Sequence, residues 1–106
     1  MPKYLWKVSY TKVGVRGVAQ EGASSRREAV RNAVEGLGGT LEAMYYAFGD
    51  ADVYAIGELP DNESAAALAL AVNGSEGITV QTVVLMTPEE FDQARAKEVS
   101  FRPPTD

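Results

Sequence analysis

Four side chains lie where a folded sheet could put them to chemical use: Lys7, Tyr46, Asp52 and Tyr54. Lys7 interrupts the aromatic run YLWKVSY, Tyr46 sits in TLEAMYYAF, and Asp52 and Tyr54 belong to ADVYAIGEL. A lysine enclosed among apolar strands needs a counter-charge, and such groups mark functional sites. The alternative is a buried stem whose ammonium reaches water. Asp52 is placed either to act as a general base or cation ligand, or to accept N–H groups at a turn, the commoner use of a short polar residue there. Trp6, Tyr10, Tyr46 and Tyr54 are suited to wall a pocket for an aromatic or apolar ligand; taken singly, each also suits a sheet core with its polar atom satisfied nearby.

The chain contains no histidine and no cysteine. Imidazole acid–base chemistry, thiolate nucleophiles, disulfides and the usual zinc ligand sets are thereby excluded. Carboxylates alone would have to hold a metal. The cluster Glu89, Glu90 and Asp92 falls in a helix first turn, where it complements the helix dipole. The expectation is no metal and no cofactor. What remains for Lys7, Tyr46, Asp52 and Tyr54 is cofactor-independent oxygenation, or proton transfer on a substrate that activates itself, as an isomerase performs.

The elements that must position these residues follow from periodicity. In YLWKVSY, Tyr4, Trp6, Val8 and Tyr10 alternate with Leu5, Lys7 and Ser9, the period-two signature of a strand. A glycine-rich stretch with Gly14, Gly17 and Gly22 follows, with room for one helical turn. SSRREAVRNAVEGLGG predicts a helix: Ser25 and Glu28 have capping-box spacing, Val30, Ala33, Val34 and Leu37 share a face, and Gly38-Gly39 ends it. Thr40–Phe48 and Ala51–Leu59 predict two strands joined at Gly49-Asp50 by a two-residue type II′ turn with glycine at positive φ. Asp61 caps the next helix, whose segment SAAALALAV carries no charge and needs cover on more than one side; Asn73-Gly74 stops it. Ile78–Met86 predicts the fourth strand. Thr87-Pro88-Glu89-Glu90 then combines a capping box with proline at the first helical position, and a tail follows with Phe101 as its anchor.

Strand, helix, strand, strand, helix, strand and an extra C-terminal helix is the ferredoxin-like βαββαβ order, an α+β fold with two helices on one face of a four-stranded antiparallel sheet. Both sheet faces are substantially apolar. Leu41, Ala43 and Tyr45 alternate with Met44, Tyr46 and Phe48, and Val53 and Ala55 with Tyr54 and Ile56. A bare face of that kind exceeds the few hundred Å² a soluble monomer tolerates, and the simplest cover is a second copy of itself. A dimeric α+β barrel is the expected assembly.

These residues also resemble a known family. Ser9-Tyr10-Thr11 with Gly14, Leu37-Gly38-Gly39, Gly49 with Asp52, Glu58-Leu59-Pro60-Asp61 and the late TVVLMTPEE are similar, in order and spacing, to the GYD-domain family of small bacterial and archaeal proteins in the dimeric α+β barrel superfamily. Ala51 stands where that family has its tyrosine, leaving Gly49 and Asp52 as matching positions. The resemblance implies the fold, a homodimer, and kinship with small-molecule enzymes and ligand sensors. It carries over no catalytic residue.

A chain of 106 residues suits one domain over 1–100 with a tail over 101–106. Its 45% hydrophobic and 24% charged content is that of a globular protein. A net charge of −5 opposes nucleic-acid and anionic-membrane partners, although seven of the ten basic residues precede Asn32 and polarise the surface. RNA-recognition domains share the element order, but their third strand is basic and aromatic where DVYAIGE is acidic with one tyrosine. No apolar run reaches the roughly 18 residues of a membrane span, and Lys3 and Lys7 break any signal-peptide pattern, so cytoplasmic residence is expected. Two functions stand open: a homodimer, or higher homo-oligomer, binding a small molecule in a pocket at a sheet face, with Lys7, Tyr46, Asp52 and Tyr54 as ligand contacts; or an assembly module with a solid interior.

Overall fold

The computed structural model describes residues 1–105. Strands β1 (Lys3–Tyr10), β2 (Thr40–Tyr46), β3 (Val53–Glu58) and β4 (Ile78–Leu85) form one antiparallel sheet in the order β2-β3-β1-β4. Helices α1 (Lys12–Glu21), α2 (Ala23–Gly36), α3 (Asn62–Asn73) and α4 (Pro88–Arg95) complete the chain. Every strand pair is antiparallel, and residues directly opposite share a face. Trp6 lies between Ala55 and Thr82, and Lys7 between Tyr54 and Gln81. Tyr4, Trp6, Ala55 and Leu41 therefore meet Val34 of α2 and Ala65 of α3 in the core. Leu5, Lys7, Ser9, Tyr54, Ile56 and Val83 face the other way, where the chain lays no helix.

The helix starts follow local chemistry. Asp61 accepts the Ser64 N–H at 2.8 Å, so α3 begins with a satisfied cap. Thr87 and Glu90 close a reciprocal capping box around Pro88. Asn73 ends α3 and does more: its amide accepts from Val80 N–H at 2.8 Å, tying the helix to the outer edge of β4.

Five expectations are corrected. The glycine-rich stretch is a full helix, α1, because Thr11 caps it and its first turn presses on the loop before β4; a Cβ on Gly14 would fall 1.9 Å from the Gly77 carbonyl oxygen. The Ser25–Glu28 capping box does not form: α2 starts earlier, after Gly22, and the Ser25 hydroxyl donates to Glu21 at the end of α1. Glu28 pairs instead with Arg31. The β2–β3 connection is wider than a two-residue turn. It runs from Phe48 to Ala51, closed by the Ala47 N–H to the Asp52 carbonyl at 2.8 Å, and Gly49 keeps a negative φ.

A bulge at Glu42 is the fourth correction. The extra residue lets that carboxylate reach Lys3 Nζ at 2.6 Å, and it flips the alternation. Leu41, Met44 and Tyr46 consequently share the helix-covered face, and Ala43 and Tyr45 the open one. Lastly, Phe101 is 74% exposed and anchors nothing within the chain.

Candidate functional site

α2 rests on β2 and α3 on β4, which leaves a cleft between the two helices above the middle of the sheet. Its floor is Trp6 and Val8 of β1 with Val53, Ala55 and Val80; its walls are Ala29, Val30 and Ala33 of α2, and Leu68 and Val72 of α3. The small residues explain the space, since alanines at positions 29, 33 and 55 leave room that larger side chains would fill. The cavity measures about 130 Å³. A dry apolar cavity of about 150 Å³ is enough to bind benzene.

Only three lining residues carry a strongly polar side-chain group: Trp6, Tyr10 and Arg26. Trp6 is 3% exposed, and its indole N–H is buried with no hydrogen-bond partner among the described residues. Its ring stacks on Tyr4, whose hydroxyl is satisfied by Asn62 at 2.7 Å. Gly57 makes room for that indole; a Cβ there would sit 2.8 Å from the ring. At the other end of β1, the Tyr10 ring lies parallel to Tyr46 with centroids 6.5 Å apart and hydroxyls at 3.4 Å. Burial, then the Tyr46 hydroxyl, pushes the Tyr10 phenol well above the usual tyrosine range, with Arg26 opposing the shift. Tyr10 is thus a neutral hydroxyl at physiological pH. Arg26 meets its nearest carboxylate, Glu21, at a loose 3.9 Å.

The residues singled out by sequence divide between two faces. Lys7 and Tyr54 are direct neighbours on the open face, with Tyr45 beyond Tyr54 and Gln81 beyond Lys7, a polar row crossing an apolar surface. Lys7 is half-buried and has no carboxylate within 4.0 Å among the described residues. Tyr46 is on the helix-covered face beside Tyr10. Asp52 lies immediately before β3, where its carboxylate accepts the Tyr10 N–H at 2.7 Å and its own N–H donates to the Val8 carbonyl at 2.8 Å. It holds Tyr10 in place and extends the β1–β3 ladder by one rung.

Arg26 is the residue that sequence reasoning passed over. Its position was legible. It precedes Val30 by four residues and Ala33 by seven, which puts it on the same inward face of α2. Among the described residues no group of three or more acidic side chains is placed to hold a metal. No helix among them is long and apolar enough to cross a membrane.

A four-stranded antiparallel sheet in the order β2-β3-β1-β4, with crossover helices on one face, is an α+β protein of ferredoxin-like topology. The GYD domain model matches residues 4–94, from β1 into α4, and the chain belongs to the GYD domain family. Comparison with curated proteins and with solved structures finds no significant match.

Proposed function

We propose that this protein binds a small, largely apolar molecule in the cleft between α2 and α3, and that it works as a homodimer closed through the open face of its sheet. The observation that carries the binding reading is the open cleft of about 130 Å³ above the middle of the sheet, walled almost wholly by apolar side chains with Tyr10 and Arg26 at one end. The Trp6 indole N–H in the cleft floor is buried without a partner among the described residues, a cost in stability that the domain tolerates at this position.

The dimer is supported by surface. An 11.4 kDa compact monomer should present roughly 5,800 Å². This chain presents 7442 Å². The surplus of roughly 1,700 Å² exceeds the approximately 800 Å² that each partner contributes to a stable interface. The open face is one part of it, and closing that face would put Lys7 and Tyr54 inside the assembly as further ligand contacts.

Binding is tested by thermal denaturation under benzene, toluene or xenon. The expected result is a saturable rise in melting temperature that disappears in Ala33→Leu, a variant that fills the cleft while keeping helix propensity. If the melting temperature does not move with any of these probes, or if Ala33→Leu responds as the parent does, the cleft is not a binding site.

A further inference from the structure

The cleft has a chemically distinct end. Tyr10 and Arg26 line the apolar cavity and also a neighbouring recess bounded by Gly14 and Gly17 of α1, Gly77, and the carboxylates of Glu21 and Glu76. They form the boundary between a greasy interior and a polar exterior. Three groups able to donate hydrogen bonds gather at that boundary: the Arg26 guanidinium, the Tyr10 hydroxyl and the Tyr46 hydroxyl 3.4 Å from it. Asp52 fixes the backbone of Tyr10, so one of the donors is held before any ligand arrives.

Arg26 is under-used as it stands. Its side chain is 30% exposed, and among the described residues the one carboxylate within 4.0 Å of it is Glu21 at 3.9 Å, which also accepts the Ser25 hydroxyl at 2.9 Å. A guanidinium binds carboxylate best through two parallel N–H donors at hydrogen-bond distance, and Glu21 offers nothing of that kind. A partly desolvated cation facing an apolar cavity is a receptor for an anion whose remainder is apolar. The acidic pair outside limits the charge that anion can bear, because Glu21 and Glu76 would repel a dianion such as a phosphate monoester.

We infer that the cleft takes a small monoanionic carboxylate with an apolar body no larger than a benzene ring, the carboxylate held by Arg26 and the Tyr10–Tyr46 hydroxyl pair and the body lying on Trp6 between Ala33 and Leu68. This rests on the cleft being the binding site proposed above and adds the class of ligand to it.

Trp6 is the sole tryptophan, so its fluorescence reports on the cavity without a label. Benzoate, benzyl alcohol and phenyl phosphate, which share a ring and differ in charge, are titrated against the intact protein. The expected result is saturable change with all ring-bearing probes that enter, with benzoate at least tenfold tighter than benzyl alcohol and tighter than phenyl phosphate. Arg26→Gln should remove the benzoate preference and leave benzyl alcohol affinity within twofold. Tyr46→Phe, an isosteric change on a half-exposed ring, should weaken benzoate several-fold and serves if Arg26→Gln proves unstable. Equal affinity for benzoate and benzyl alcohol, or benzoate binding untouched by both variants, overturns the carboxylate assignment while leaving the cleft as a binding site. Tighter binding of phenyl phosphate overturns the monoanion assignment. No response to any probe overturns this inference together with the binding reading on which it depends.

Discussion

Asp52 shows how a residue that looks catalytic in a string of letters can be structural in space. Its carboxylate takes the Tyr10 N–H, the last backbone donor of β1, and through it steadies the ring at the cleft boundary. Asp52→Ala should therefore lower stability by about 1–2 kcal/mol, the usual result of leaving a partly buried donor without its acceptor. Asp52→Asn, which keeps an acceptor oxygen, should cost less; urea denaturation of the two variants measures the difference. Equal stability of parent and Asp52→Ala would show that the bond does no structural work. The tyrosines divide in the same way. Tyr46 is stacked on Tyr10 under the helices, Tyr54 is beside Lys7 on the opposite face, and Tyr45 is 72% exposed on that face.

Among the elements, α3 has a cap whose charge matters. Hydrogen bonds from the Ser64 hydroxyl and then the Ser64 N–H hold the Asp61 carboxyl below the usual carboxylate range. A group whose pKa falls on folding adds stability that is complete above its unfolded pKa of about 3.9 and is lost as pH drops through its lower folded value. Melting curves at successive pH values between 6 and 3 should show a loss in the parent that is smaller in Asp61→Asn, which keeps the cap without the titrating group. An identical decline in both would remove Asp61 from the account. α4 presents the opposite situation. Its capping box is complete, yet it packs extensively on no other element, and Phe91 is exposed. An eight-residue helix is marginal in water on its own.

For the whole molecule, shape and surface agree. The radius of gyration is 16.7 Å, and the extents are 55 × 33 × 23 Å. A compact chain of this length should have a radius of gyration near 13 Å. The excess comes with a C-terminal arm bearing the exposed Met86, Phe91, Val99 and Phe101, while the open sheet face adds the half-buried Leu5 and Ile56 and the exposed Val83 to the apolar surface. Leu5 sits between Ile56 and Val83 in the apolar strip of that face. Leu5→Glu should convert a dimer into a monomer with its fold retained, read by sedimentation velocity and far-ultraviolet circular dichroism. If the parent sediments as a monomer at micromolar concentration, the dimer proposal falls.

The order of the four strands and of α2, α3 and α4, the α3 and α4 caps, the family and the alternation of Tyr4, Trp6 and Val8 against Leu5, Lys7 and Ser9 were legible in the amino-acid sequence, because they depend on periods of two and 3.6 residues and on side chains that bond within three positions of themselves; which of the two sets faces the helices was not. The bulge at Glu42, the flipped faces of β2, the true start of α2 and the full length of α1 were not. The bulge and the full α1 depend on partners far along the chain, Lys3 for Glu42 and Gly77 for Gly14, and the start of α2 depends on α1 itself, whose Glu21 takes the Ser25 hydroxyl. The cleft belongs to the same class. Small residues at 29, 33 and 55 are unremarkable in sequence, and only the spacing of two helices over one sheet turns them into a cavity with Arg26 at its edge. Local chemistry determines which elements form; the distances between elements, which no local pattern encodes, determine where a ligand has room.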